Sequence, residues 1–244
     1  MIRIIKSSDK REIEQIKKSA SFDLGLALDR VKPVIRDVMV KGDEALFYYT
    51  RKYDDAILCK NTIEVTKKEI EEAYKKTGKK TVAAIKKAAE NVKKFSKMQM
   101  PKEWRKELKK GIKAGQIIRP IERVGCYVPC GNFPLPSTVV MTVIPAKVAG
   151  VLEIIICTPP RNNNSAILVA ADICGADRIF KVGGAQAIAA MAYGTESIPE
   201  VDKIVGPGNI YVTAAKKLVY GDVGIDFLAG PSEILIIADN GNPK

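Results

Sequence analysis

The stretch Glu153-Ile154-Ile155-Ile156-Cys157 decides the fold. Side chains alternate between faces along a strand, so three isoleucines in succession are buried on both sides, as in a parallel sheet covered by helices. Working outward, similar β-rich runs recur at Val124 to Val128, Arg178 to Val182, Lys203 to Val205 and Glu233 to Ala238. Helical stretches lie between them at Ser137 to Val148, Ser165 to Ile173, Gln186 to Tyr193 and Asn209 to Tyr220. The alternation predicts an α/β fold with a Rossmann-like parallel sheet flanked by helices.

The first hundred residues read differently, as helices. Asp9 with Glu12, and Thr66 with Glu69, have the spacing of capping boxes ahead of apolar positions. Gly78 reads as the residue just past a helix end. From Val82 the positions Ile85, Ala88, Val92 and Phe95 recur at helical spacing until Pro101 stops them, which marks a core or interface stripe. Gly111 to Ile118 reads as extended. The expected organisation is an N-terminal helical arm over 1–22, a first domain over 23–123 and a Rossmann-like α/β domain over 124–230. The first domain is expected to be incomplete, to be joined by 231–244 and to need further C-terminal sequence.

Composition narrows the function classes. At 244 residues and 46% hydrophobic, the chain can bury a substantial core. Its net charge of +12 raises the question of a polyanionic partner. The excess lies in pairs such as Lys67-Lys68, Lys75-Lys76, Lys86-Lys87 and Lys93-Lys94, spaced as on the wet face of a helix, with no arginine-rich run interleaved with aromatics. No nucleic-acid partner is therefore expected. No apolar run reaches the ~20 residues that span a bilayer, so no membrane role is expected either, and a cytoplasmic location is. The five cysteines lack the paired spacing of a structural zinc site. Histidine is absent altogether, which removes the commonest general base and metal ligand.

In open α/β sheets ligands bind beyond the carboxyl ends of the strands, and there the glycines and prolines cluster. The clusters are Val128-Pro129-Cys130-Gly131, Gly183-Gly184-Ala185-Gln186, Gly206-Pro207-Gly208-Asn209 and, before the last strand, Gly230-Pro231-Ser232-Glu233. Three open onto a helix or helix start, where unpaired amides and the dipole favour anions such as phosphate. One glycine turn is what any tight strand-to-helix connection needs; four on one edge point to a nucleotide-binding rim. The G-x-G-x-x-G spacing is absent, and spacing alone stops at an α/β protein with an anion-binding edge.

Longer motifs carry further. Gly125-Cys126-Tyr127-Val128-Pro129 leads into Pro134 to Met141 and Pro145-Ala146-Lys147-Val148-Ala149-Gly150. Val182-Gly183-Gly184-Ala185-Gln186-Ala187-Ile188-Ala189-Ala190, Val205-Gly206-Pro207-Gly208-Asn209 and Ile225-Asp226-Phe227-Leu228-Ala229-Gly230-Pro231-Ser232-Glu233 follow. In order and spacing these segments resemble the histidinol dehydrogenase family. Gly42-Asp43-Glu44-Ala45-Leu46 and Tyr53-Asp54 extend the likeness into the helical region.

The resemblance implies a homodimeric, zinc-dependent oxidoreductase that converts L-histidinol to L-histidine through the aldehyde, with NAD as hydride acceptor. It implies that Tyr127, Gln186 and Asn209 contact NAD and that Ser232 contacts substrate. Each also has an ordinary reading: strand aromatic for Tyr127, helix cap for Asn209, turn residue for Ser232. Cys130 departs from the glycine usual in the family's cofactor loop. The family's zinc ligands and its catalytic Glu and His pair belong to segments later than those present here. No catalytic and no metal-binding residue is therefore assigned, and the chain alone is expected to be inactive on histidinol. The alternative is a non-catalytic NAD-binding or regulatory protein.

Overall fold

The computed structural model describes residues 5–6, 8–19, 24–131, 133–161 and 164–228. After helix α1 (Lys10–Ser19) come four helices: α2 (Leu24–Lys41), α3 (Asp43–Asp54), α4 (Lys67–Lys76) and α5 (Lys79–Gln99). A hairpin follows, strands β1 (Trp104–Lys109) and β2 (Ile112–Gln116). The chain then alternates through β3 (Arg123–Tyr127), α6 (Pro136–Ala149), β4 (Glu153–Thr158), α7 (Ser165–Cys174) and β5 (Arg178–Lys181). It continues with α8 (Gly184–Tyr193), β6 (Lys203–Val205), α9 (Ile210–Val219) and β7 (Gly224–Ile225).

The last five strands form one parallel sheet in the order β5-β4-β3-β6-β7. The isoleucine triplet behaves as its pattern requires, since all three side chains are fully buried and are shared between opposite faces. Ile155 joins a core with α2, α3, α8 and α9, whereas Ile154 and Ile156 join a second core with α4 to α7. The helices of 24–99 therefore form outer layers over the crossover helices, on both sides of the sheet. Helix α8, trapped between the sheet and α2, is buried from Ala185 to Ala192, and its run of alanines is what close packing on all sides demands.

The edge at β5 is covered. Val65 N–H donates to Ile179 and Lys181 N–H to Ile63, while Arg178 grips Glu64 with two bonds of 3.0 and 2.7 Å. That pairing blunts an edge otherwise open to association.

One sequence expectation changes, the inward stripe of α5, and two become more definite. Gly78 stands just past the end of α4, beyond its C-cap Thr77, and is at the same time the N-cap of α5. The inward face of α5 is Ile85, Ala89 and Ser96, with Val92 half-buried, so Ala88 and Phe95 face outward. The extended segment near Gly111 is the second arm of an exposed antiparallel hairpin whose first arm the lysine-rich sequence concealed. The box at Thr66 and Glu69 is present with both reciprocal bonds. The strand expected at Glu233 to Ala238 lies outside the described residues.

Candidate ligand cleft

The chain passes from β3 outward through β4 to β5, then returns to the other side of β3 at β6. The carboxyl ends of β3 and β6 are thus the point where strand order reverses, which is where open α/β sheets form a ligand crevice. A cleft of about 670 Å³ lies there, within the ~300–1,000 Å³ usual for small-ligand sites. Tyr127, Gln186 and Asn209 all line it.

Tyr127 ends β3, and its hydroxyl oxygen accepts a 3.0 Å hydrogen bond from Gly184 N–H in the first turn of α8. Burial raises its pKa well above the ordinary phenol value, so the hydroxyl keeps its proton. Among the described residues that proton has no acceptor, which leaves it to donate. The strand aromatic is therefore also a polar fixture of the cleft.

Gln186 is fully buried, yet among the described residues neither its Oε1 nor its Nε2 has a hydrogen-bond partner. Buried amides are nearly always paired, and one facing a cleft without partners is set to meet a ligand.

Asn209 caps α9. Its Oδ1 accepts from Tyr211 N–H at 3.0 Å and Val212 N–H at 3.1 Å. These bonds correct the expectation of an anion at this turn, because the amides that would bind it are occupied by the protein's own side chain. The Asn209 amide NH₂ remains. Helix α8, by contrast, has as its N-cap Gly183, which has no side chain, and of its first amides Gly184 N–H goes to the Tyr127 hydroxyl.

The loop walls are fixed by close approach. Gly206 has φ +118°, and a Cβ there would lie 2.2 Å from Tyr127 O, so only glycine lets the β6 loop lie against the end of β3. The same residue is clamped through its peptide groups. Asp226 accepts from Gly206 N–H at 2.8 Å, while the buried Lys216 ammonium donates to Gly206 O at 3.0 Å and pairs with Asp226. At the other wall a Cβ on Gly183 would lie 2.4 Å from Pro159, so the loop leaving β4 presses on the start of α8.

Cys130 is buried in the lining, and burial holds its thiol above the usual pKa despite the nearby Arg161. Ser232 lies outside the described residues. The cleft is also lined by residues the sequence alone did not place in a site: Arg30 of α2, Tyr53 and Asp54 of α3, which there carried only the family likeness, and Arg161 after β4. Arg161 had a legible signal, standing just past a strand's carboxyl end, but its turn lacks glycine. Arg30 and Asp54 reach the cleft only because α2 and α3 pack across α8 and α9.

Fold and site together define a doubly wound parallel α/β protein with a ligand cleft at its switch point. A family model described as histidinol dehydrogenase matches residues 17–244. The chain is 54% identical over 245 residues to a histidinol dehydrogenase of Methanocaldococcus jannaschii, and 51% identical over 242 residues to one of Methanothermobacter thermautotrophicus. Both alignments cover 98% of this chain and 56% of the relative, so the chain spans little more than half the length of these relatives. A crystal structure of histidinol dehydrogenase from Elizabethkingia anophelis matches with TM-score 0.81 and 43% identity, over 87% of this chain and 49% of that one. The chain belongs to the histidinol dehydrogenase family.

Proposed function

We propose that this chain supplies the NAD-binding cleft of a histidinol dehydrogenase, which oxidises L-histidinol to L-histidine through the aldehyde with the help of zinc. NAD, when bound, takes the hydride. Tyr127, Gln186 and Asn209 hold it, and Ser232 meets the substrate. The enzyme acts as a cytoplasmic homodimer, with 23–123 and 231–244 contributing to a first domain and 124–230 forming the second. Among the described residues no helix is long and apolar enough to cross a membrane.

One observation carries the cofactor reading: a fully buried glutamine whose polar atoms both lack a partner among the described residues, on a cleft at the switch point. An unsatisfied buried polar group costs about 1–3 kcal/mol. A ligand amide, hydroxyl or phosphate supplies the missing bonds. Calorimetric titration with NAD is expected to show binding that Gln186→Met weakens by at least about tenfold, roughly 1.4 kcal/mol. Equal affinity in the two proteins, or none in the unsubstituted one, sinks the assignment.

Zinc finds no fit among the described side chains: no three His, Cys, Asp or Glu gather there, and the sequence has no histidine. That donor set favours a second reading for the chain by itself, NAD binding without turnover. Incubation with histidinol, NAD and zinc separates the two. NADH formation supports catalysis by this chain, and NAD binding without NADH supports the cofactor-binding role alone.

A further inference from the structure

Charge in the cleft is unevenly held. Among the described residues its ionised lining consists of Arg30, Arg161 and one acid, Asp54. Arg30 is engaged with the Tyr211 hydroxyl at 3.1 Å. Arg161 gives one N–H to Asp54 Oδ1, also at 3.1 Å, although a guanidinium has five to give and prefers a two-pronged grip. The Arg161 side chain is 45% exposed and that of Asp54 only 9%. Asp54 is the poorly placed member of the pair. It is the last residue of α3, where the helix dipole disfavours a carboxylate, and burial raises its pKa against the pull of Arg161. The carboxylate depends on the guanidinium, and the guanidinium can leave.

Two features place an anion beside Arg161. The contact of Pro159 with Gly183 carries the loop bearing Arg161 to the start of α8, where the N-cap Gly183 has no side chain and the Tyr127 hydroxyl takes the Gly184 N–H but not the amides that follow, whereas Asn209 closes the start of α9. In the first turn of the same helix stands Gln186, buried and without a hydrogen-bond partner among the described residues.

We infer that Arg161 and the first turn of α8 bind the phosphate groups of the dinucleotide, with Asp54 occupying the guanidinium until a phosphate displaces it. The inference rests on the reading of the cleft as the NAD site, and adds its anion subsite and a residue that tunes it. Removing Arg161 weakens ligands that carry phosphate and spares those that do not. Removing the Asp54 charge frees Arg161 and strengthens them.

The test is calorimetry of the chain and of its Arg161→Gln and Asp54→Asn variants with NAD, ADP and adenosine. Arg161→Gln is expected to weaken ADP and NAD about tenfold and leave adenosine unchanged, because it removes a charge-assisted hydrogen bond. Asp54→Asn is expected to tighten ADP severalfold. If NAD binds but ADP affinity is the same with and without Arg161, the inference is overturned and the cleft reading stands. If neither NAD nor adenosine binds the unsubstituted chain, the cleft reading fails and the inference with it. Should Arg161→Gln not fold, the Asp54→Asn result decides: tighter ADP supports the subsite, and unchanged or weaker ADP rejects it.

Discussion

Lys216 is 3% exposed, an ammonium removed from water in the last turn of α9. Such a charge is tolerated only when paired and hydrogen-bonded, and Asp226 with the Gly206 carbonyl supplies both. Asp226 in turn also accepts from Gly206 N–H and Phe227 N–H. One ion pair thus fixes the loop at the floor of the cleft. Lys216→Met leaves the partly buried Asp226 carboxylate with only its two backbone N–H donors, and urea unfolding is expected to show a loss of about 2–3 kcal/mol. A loss below ~1 kcal/mol would mean the clamp is dispensable. Gln186 has the opposite balance. Gln186→Met conserves shape and removes two orphaned polar atoms, so it is expected to raise stability by about 1 kcal/mol in the same assay while NAD binding falls. Stability and affinity moving in opposite directions is the signature of a residue kept for a ligand. A fall in both would assign Gln186 to packing.

At the scale of elements, α4 shows local sequence setting a boundary. Thr66 Oγ1 accepts from Glu69 N–H while Glu69 Oε2 accepts from Thr66 N–H at 2.8 Å, and Glu69 also meets Lys181 at 2.7 Å. Thr66→Ala is expected to cost about 1 kcal/mol in thermal unfolding, the usual value of an N-cap. Burial pushes the Glu69 pKa up, but the Lys181 and Thr66 bonds outweigh it and hold the carboxyl below its ordinary value. Its contribution is therefore present above the usual carboxylate range and lost as acid protonates it. The stability gap between the protein and Glu69→Gln should shrink from neutral pH toward pH ~3. A gap constant with pH would exclude the charge as its source. Helix α5 shows the limit of local reading. Its apolar residues fit more than one stripe, and contact with α6 and α7 selected Ala89 and Ser96 over Ala88 and Phe95.

For the whole molecule, stability is unevenly spread. Two cores meet across one sheet, whereas the β1–β2 hairpin is exposed along nearly its whole length and carries Trp104, the only tryptophan, at 49% exposure. A two-stranded hairpin without a packed face is marginal in water. Heating is expected to change Trp104 fluorescence before the far-ultraviolet signal of the helices is lost. Coincident transitions would show that the hairpin is held as firmly as the cores. The lysine pairs of α4 and α5 are all exposed, as a solvated helical face requires.

The sequence by itself determined the alternation of strands and helices, the burial of Ile154 to Ile156, the cap at Thr66 and the turns that form the cleft rim. Each of these depends on residues close in the chain, through the two-residue period of a strand, the turn of a helix or the steric freedom of glycine. Tyr127, Gln186 and Asn209 were legible because they stand at strand ends within long motifs. Only the tertiary structure decided the strand order that puts β3 beside β6, the covering of both faces by the N-terminal helices, and the meeting of the Tyr127 hydroxyl with the first amide of α8. Asp54 and Arg161 are 107 positions apart, and no local pattern joins them. Their meeting depends on how α3 packs over α8, because burial and charge pairing are fixed by surroundings that distant segments assemble.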